Sequence, residues 1–288
     1  MYKSIKNSKG VEMKFIKMHG LGNDFVICDL REQKYMLDCK EIRKISDRRL
    51  GVGCDQLIVL KESENPAADV YMKIYNADGS EVGACGNATR CVGQMIIHET
   101  GKTHVVIETI EGLLTALETN KNNWIRVDMG EPRLLWHKIP LAEEQDTAFL
   151  DLDVEGFSNP VAVNVGNPHA VFFVEDIASV NLMKIGPLVE NHVMFPEKTN
   201  VEFVQVINKN TLKMRVWERG VGITEACGTG ACATLVAAVR RSMVNRSAVV
   251  QLDGGDLEIT WDEKTGHVWM SGPVCKSFEG HLAADLLG

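Results

Sequence analysis

The chain has 288 residues, of which 45% are hydrophobic and 24% charged, with a formal net charge of -8. That length suits two domains of roughly 100–150 residues each, and the composition is that of a soluble globular protein, which excludes a disordered or fibrous chain. The acidic balance argues against nonspecific binding to nucleic acid or to an anionic membrane, because both need a basic face.

The N-terminal residues MYKSIKNSKG are polar and are followed by no apolar stretch of signal-peptide length. Nowhere do about 18 apolar residues run together, so neither a signal peptide nor a membrane span is expected. A cytoplasmic protein follows, and its eight cysteines, at 28, 39, 54, 85, 91, 227, 232 and 275, are expected to be reduced thiols.

In chain order, a short helix is expected over Cys39 to Arg49. Strands follow at Gln56 to Lys61, Val70 to Tyr75, Val105 to Thr109, Leu113 to Leu117 and Trp124 to Val127, each short, rich in β-branched and apolar residues, and bounded by Gly, Asn or Pro. Between them, Ala88, Cys91, Val92, Met95 and Ile96 recur at helical spacing after Cys85, with Gly101 as a stop signal. The acidic stretch from Glu143 to Asn159 reads as a solvated connection. A second short helix is expected within Val180 to Glu190. After Cys227, Ala231, Leu235 and Ala238 repeat the helical spacing, and Arg240, Arg241 and nearby Arg246 read as favourable charge at that helix's C-terminus.

The second half echoes the first at an offset near 143. Gly22-Asn23 matches Gly166-Asn167 and Asp55-Gln56 matches Thr199-Asn200; Tyr75-Asn76 matches Trp217-Glu218, Ala84-Cys85-Gly86-Asn87 matches Ala226-Cys227-Gly228-Thr229, and Glu111 to Leu114 matches Gly254 to Leu257. Five matches in order indicate an internal duplication. The fold class expected is therefore α+β, with two pseudo-symmetric domains, each a mostly antiparallel sheet or barrel around a central helix. Residues 1–130 form the first repeat and 131–274 the second, with 275–288 packing back on the first.

Each repeat places a cysteine at the N-terminus of its long helix, where unpaired N–H groups and the macrodipole favour a thiolate and lower a thiol pKa from about 8.5. The glycine after each cysteine opens the helix end to an anion such as a substrate carboxylate. A base, an acid and an anion site are thus supplied twice. Inverting a stereocentre by proton transfer needs one such group on each face of the carbon, one protonated and the other not. Three other readings carry less. A zinc site from Cys85, Cys91, Cys227 and Cys232 fails because Cys91 lies roughly 240° round its helix from Cys85, and Cys232 roughly 140° from Cys227. A cysteine hydrolase using His169 in GNPHA leaves one cysteine unexplained, and a non-catalytic amino-acid-binding module has no need of either.

The segments KMHGLGNDF (Lys17 to Phe25), YNADGSEVGACGN (Tyr75 to Asn87), GNPH (Gly166 to His169), TNVEF (Thr199 to Phe203) and ERGVGITEACGTGACA (from Glu218) resemble those of the diaminopimelate epimerases along nearly the whole chain. The resemblance implies that fold and a pyridoxal-independent interconversion of LL- and meso-2,6-diaminopimelate, with no cofactor and no metal, in a homodimer. It makes Cys85 and Cys227 the two acid/bases. It lines the substrate with Asn23, Gln56, Asn76, Gly86, Asn87, Asn167, Asn200, Glu218, Arg219, Gly228 and Thr229, and puts His169 and Glu218 close enough to influence the thiols. Side-chain amides with one Glu and one Arg suit a double zwitterion, Arg219 taking the distal carboxylate and Glu218 an ammonium. The departures are Ala88, where the family often has Gly, and the residues before Met13, which precede the usual start and are read as a disordered extension or an upstream start codon. A proline or hydroxyproline racemase, which uses a similar cysteine pair, is the nearest alternative; Asn87 and the ERG segment favour diaminopimelate.

Overall fold

The computed structural model describes residues 13–83 and 85–287, so the expectation for the residues before Met13 lies outside the described residues. The chain divides into two compact units, Met1–Val127 with Pro273–Gly288, and Asp128–Gly272.

The first unit runs β1 (Lys14–Gly20), β2 (Asn23–Asp29), α1 (Cys39–Ser46), β3 (Gln56–Lys61), β4 (Val70–Asn76), β5 (Glu81–Val82), α2 (Gly86–Thr100), β6 (His104–Thr109), β7 (Gly112–Glu118) and β8 (Trp124–Asp128). The strand Cys275–His281 pairs antiparallel with β1. Period-two burial sets the faces of the strands: in β6, Val105, Ile107 and Thr109 point inward while their neighbours do not. Helix α1 starts at a capping box in which Asp38 accepts from the Lys40 and Glu41 amides and Glu41 reaches back to Asp38. Helix α2 is different in kind. Every residue from Gly86 to Gln94 is buried, so it is enclosed on all sides, and it ends at Gly101 in the left-handed conformation (φ 69°).

The second unit contains β9 (Asp153–Val154), β10 (Phe157–Ser158), β11 (Val161–Asn164), β12 (Pro168–Phe173), α3 (Leu182–Glu190), β13 (Asn200–Asn208), β14 (Thr211–Glu218), β15 (Gly222–Thr224), α4 (Gly228–Arg240), β16 (Ser247–Leu252), β17 (Gly255–Trp261) and β18 (Val268–Pro273). Its pairing copies the first unit's. β2 runs parallel to β3 as β12 does to β13, and β3–β4 and β13–β14 are both antiparallel. β4 runs parallel to β6 as β14 does to β16. The register is conserved to the residue: Phe25 faces Gln56 as His169 faces Asn200, Leu57 faces Tyr75 as Val201 faces Trp217, and Ile107 faces Leu114 as Val250 faces Leu257. Because a one-residue slip would turn every inward side chain outward, shared register identifies which residues are equivalent in the two repeats.

Two expectations are corrected. The segment from Glu143 to Asn159 is not a solvated connection, since Leu150, Leu152 and Val154 are buried and Phe157 packs edge-on against Phe203. Nor do Arg240 and Arg241 act merely as helix-end charges. Arg240 donates to the carbonyls of Thr147 and Ala162, and Arg241 to that of Ala148, which pins this segment against the end of α4.

Helix α2 approaches β7 closely enough that a Cβ on Gly93 would lie 2.6 Å from the Ala116 Cβ. Gly93→Val is therefore expected to destabilise the first unit by about 2 kcal/mol or more, because overpacking here must move backbone. Thermal denaturation should show a Tm lower by on the order of 5 °C. An unchanged Tm would mean that the helix and sheet can separate freely.

Candidate active site

In the first unit Cys85 is the N-cap of α2 and is half-buried, with an extended backbone (φ -149°, ψ 110°). Its Sγ lies 3.9 Å from Oδ1 of Asn23, at the start of β2, and Nδ2 of Asn87 donates to the same oxygen at 3.1 Å. The other end of the Asn23 amide donates to Asp55 at 3.0 Å, so the amide's orientation is fixed, oxygen toward the thiol. Arg48 bridges Asp55 and Asp24. Burial alone would raise the Asp24 carboxyl, but hydrogen bonds from Arg48 and Lys17 outweigh it and hold that group well below the usual carboxylate range. Next to this cluster Gln56 Nε2 donates to Asn76 Oδ1 at 3.2 Å, and Asn76 donates to Ser80. Among the described residues, Oε1 of Gln56 and Oδ1 of Asn87 are buried acceptors with no hydrogen-bond partner. Unpaired buried acceptors are costly, and a ligand ammonium would satisfy them.

In the second unit Cys227 is the N-cap of α4 and is only 5% exposed. Its Sγ accepts from the Gly230 amide at 3.4 Å and lies 3.5 Å from Oγ1 of Thr229. Glu218, the last residue of β14, accepts a short hydrogen bond from Thr224, and its charge bears on the Cys227 thiol. His169 on β12 is fully buried and clamped at both ring nitrogens, Nδ1 2.7 Å from Glu202 and Nε2 2.7 Å from Asn167. Asn200, at the start of β13, accepts from the Arg219 amide at 2.9 Å and donates to the Pro168 carbonyl at 2.8 Å. Its amide is thus consumed by the protein and fixes the turn that carries Arg219, whose side chain is exposed apart from a bond to the Glu197 carbonyl.

The electrostatics overturn one expectation. Burial pushes the Cys227 thiol well above its ordinary range, and the charges of Glu218 and Glu202 push it further, while Thr229 and the Gly230 amide pull the other way with less effect. One weak N–H···S contact and a helix end cannot offset desolvation of a thiolate beside two carboxylates. Burial likewise raises the Glu218 carboxyl, partly countered by its hydrogen bonds from Thr224 and Cys227.

Within each unit, then, the anticipated residues do meet: Asn23, Asn87 and Cys85 in one cluster with Gln56 and Asn76 beside it, and Asn167, His169, Glu218, Thr229 and Cys227 in the other. Gly86 and Gly228 open their helices as anticipated. Asp55, Thr224 and Glu202 were missed. Only Glu202 carried a signal, a charged residue inside the apolar run of β13.

The diaminopimelate epimerase family profile matches residues 15–135 and 161–276. The chain belongs to the diaminopimelate epimerase family. It is 48% identical over 274 residues to the diaminopimelate epimerase of Rhodospirillum centenum, covering 95% of this chain and 94% of that one. It is 48% identical over 273 residues to that of Acidiphilium cryptum, covering 95% and 97%. A crystal structure of a hydroxyproline epimerase from Agrobacterium vitis superposes with a TM-score of 0.67 over 94% of this chain and 90% of its own, at 15% identity, which shows a shared fold. The family is one of isomerases, so this chain is an enzyme of that class, and its α+β fold with a duplicated domain is the family's.

The raised Cys227 thiol predicts unequal reactivity in the substrate-free protein. At pH 7.5 iodoacetamide should label half-buried Cys85 and exposed Cys39 and Cys275 well before Cys227, because the thiolate is the reactive form. Labelling of Cys227 should rise only as the pH passes the ordinary thiol range, read by peptide mass mapping. Equal labelling of Cys227 and Cys39 at pH 7.5 would contradict the burial argument.

Proposed function

We propose that this enzyme interconverts LL- and meso-2,6-diaminopimelate, with Cys85 and Cys227 as the two acid/bases at the α-carbon. The observation that carries the reading is the duplicated element itself: a cysteine capping an enclosed helix, followed by glycine, in both repeats and in the same register. In one direction a thiolate on one cysteine removes the α-proton, leaving the electron pair on the carbon, and the thiol of the other cysteine delivers its proton to the opposite face. Thiol and thiolate have then exchanged places, and the reverse reaction starts from that state. No redox change and no outside reactant are needed.

The negative charge that develops toward the substrate carboxylate is met by the amides of Gly86, Asn87, Gly228 and Thr229 at the helix ends. Glu218 has two tasks in this scheme. Its raised carboxyl can take the Cys227 proton, and a substrate ammonium beside it cancels the charge that otherwise opposes the Cys227 thiolate. Asn23, Gln56, Asn76, Asn87 and Asn167 orient the ammonium and carboxylate at the reacting end, and Arg219 takes the distal carboxylate. Asn200 acts by fixing the Arg219 turn, and His169 by modulating the Cys227 side. The same reading takes the enzyme to be a cytoplasmic homodimer in lysine and peptidoglycan precursor biosynthesis, without a cofactor and without nucleic-acid or membrane partners. Among the described residues no helix is long and apolar enough to cross a membrane.

The deciding assay measures epimerisation of diaminopimelate and of proline and hydroxyproline, with tritium exchange from solvent at the α-carbon. Turnover is expected for diaminopimelate alone, and Cys85→Ser or Cys227→Ser should each lower kcat by about 10²–10⁴-fold, the usual worth of a positioned acid or base. Arg219→Ala should raise KM more than it lowers kcat, because a distal ion pair contributes mainly to binding. Turnover of proline, or full activity in either serine variant, would overturn the assignment.

A further inference from the structure

The two repeats share register but not chemistry behind their cysteines. His169 and Glu202 are both 0% exposed, and Nδ1 of His169 lies 2.7 Å from Oε1 of Glu202. By register, their counterparts in the first repeat are Phe25 and Ile58, both also 0% exposed. The third member of this exchange is at the helix. A Cβ on Gly230 would lie 2.9 Å from Glu202 Oε1 and 3.3 Å from Cys227 Sγ, whereas the matching residue of α2 is Ala88, fully buried. An apolar trio of Phe25, Ile58 and Ala88 thus backs Cys85, and a polar trio of His169, Glu202 and Gly230 backs Cys227, in one and the same scaffold.

A buried, ionisable pair in place of a well-packed apolar one is a net cost to folding unless it serves something else. We propose that Glu202 is a positioning residue for proton transfer at Cys227: its enclosed carboxylate holds the His169 ring at Nδ1 so that Nε2 stays fixed at Asn167, a residue that the proposed function places against the substrate. Glu202 itself neither gives nor takes a proton. Its role is that of a carboxylate that fixes the orientation of a histidine ring. Its second oxygen has no hydrogen-bond partner among the described residues, so the contact to His169 is what compensates this carboxylate for burial. Glycine at position 230 is required because a side chain there would displace it. The first repeat, with no carboxylate to accommodate, tolerates alanine.

This inference rests on the epimerase reading above, and its test separates the two. Wild-type enzyme and Cys227→Ser are assayed first. If the wild type turns over diaminopimelate and Cys227→Ser does not, the reaction assignment stands and Glu202 can be judged on its own. If the wild type is inactive, the reading fails and this proposal falls with it.

Glu202→Gln keeps the size of the side chain and is expected to lower kcat by about tenfold to a hundredfold with KM within about threefold, as for other carboxylates that orient a functional histidine. A double-mutant cycle with His169→Gln supplies the readout that a merely structural role would not give. If Glu202 acts through His169, the double variant is no slower than the slower single variant, within about twofold. Should Glu202→Gln fail to fold, the pair His169→Phe and Glu202→Ile copies packing that the first repeat already uses. It is expected to melt cooperatively and to lose kcat to the same extent. Three results would overturn the proposal: unchanged kcat in Glu202→Gln, losses that multiply in the double variant, or a folded Phe/Ile variant with activity within about threefold of wild type.

Discussion

The first turn of a helix leaves four backbone N–H groups without partners, and at α2 and α4 those turns are largely buried. The rest of the site is arranged around that constraint. Water cannot satisfy those groups as it does at a surface, and the residue at each cap is a cysteine, a poor hydrogen-bond acceptor while protonated. At α2 the Cys85 side chain makes no capping bond, and at α4 the Cys227 sulfur accepts from Gly230 at 3.4 Å. Ser or Asp would cap better. A cysteine cap thus supplies little to these helix ends, and glycine beside each cysteine keeps them open. In the proposed function an anion arriving there would meet those amides, which would link binding to local stability.

Enclosure has a second consequence, opposite in sign. The dipole and free amides favour a thiolate, but burial opposes one, and at Cys227 burial wins, with Glu218 and Glu202 adding to it. A thiol kept protonated in the substrate-free enzyme is protected from oxidation and alkylation. In the proposed reaction it becomes a base only when a cation is placed beside Glu218 or when that carboxylate takes its proton. On that proposal the charge of the substrate belongs to the chemistry of the sulfur, which ties reactivity to the presence of a zwitterionic ligand.

Duplication supplied two copies of the geometry, and divergence adjusted each. Asn23 and Asn167 stay matched, as do Gln56 with Asn200, yet Asn200 has turned inward to hold the Arg219 turn while Gln56 keeps a buried acceptor unpaired. Asn76 corresponds to Glu218, and Phe25 to His169. The register of the strands is identical, so these exchanges alter chemistry without moving the backbone that carries it.

Much of this architecture was legible along the chain. Five strands of the first repeat followed from short β-branched and apolar runs bounded by Gly, Asn or Pro, the two long helices from their 3.6-residue spacing, and the equivalence of the halves from five ordered matches, because local composition and repetition are written in neighbouring residues. Cys85 and Cys227 stood out for the same reason. What the chain could not announce depended on partners far apart in sequence. The stretch around Leu150 looked solvated because its acidic residues outweighed an alternation of Leu150, Leu152 and Val154, and only packing against Phe203 and capping by Arg240 and Arg241 buried it. The thiol of Cys227 was expected to be acidic from its helix end alone, whereas its neighbours Glu202 and Glu218 come from strands that folding brings against it. Sequence fixed which elements form and which residues repeat; tertiary structure decided the sign of the electrostatics, since desolvation and charge proximity exist only once the chain has closed around the site.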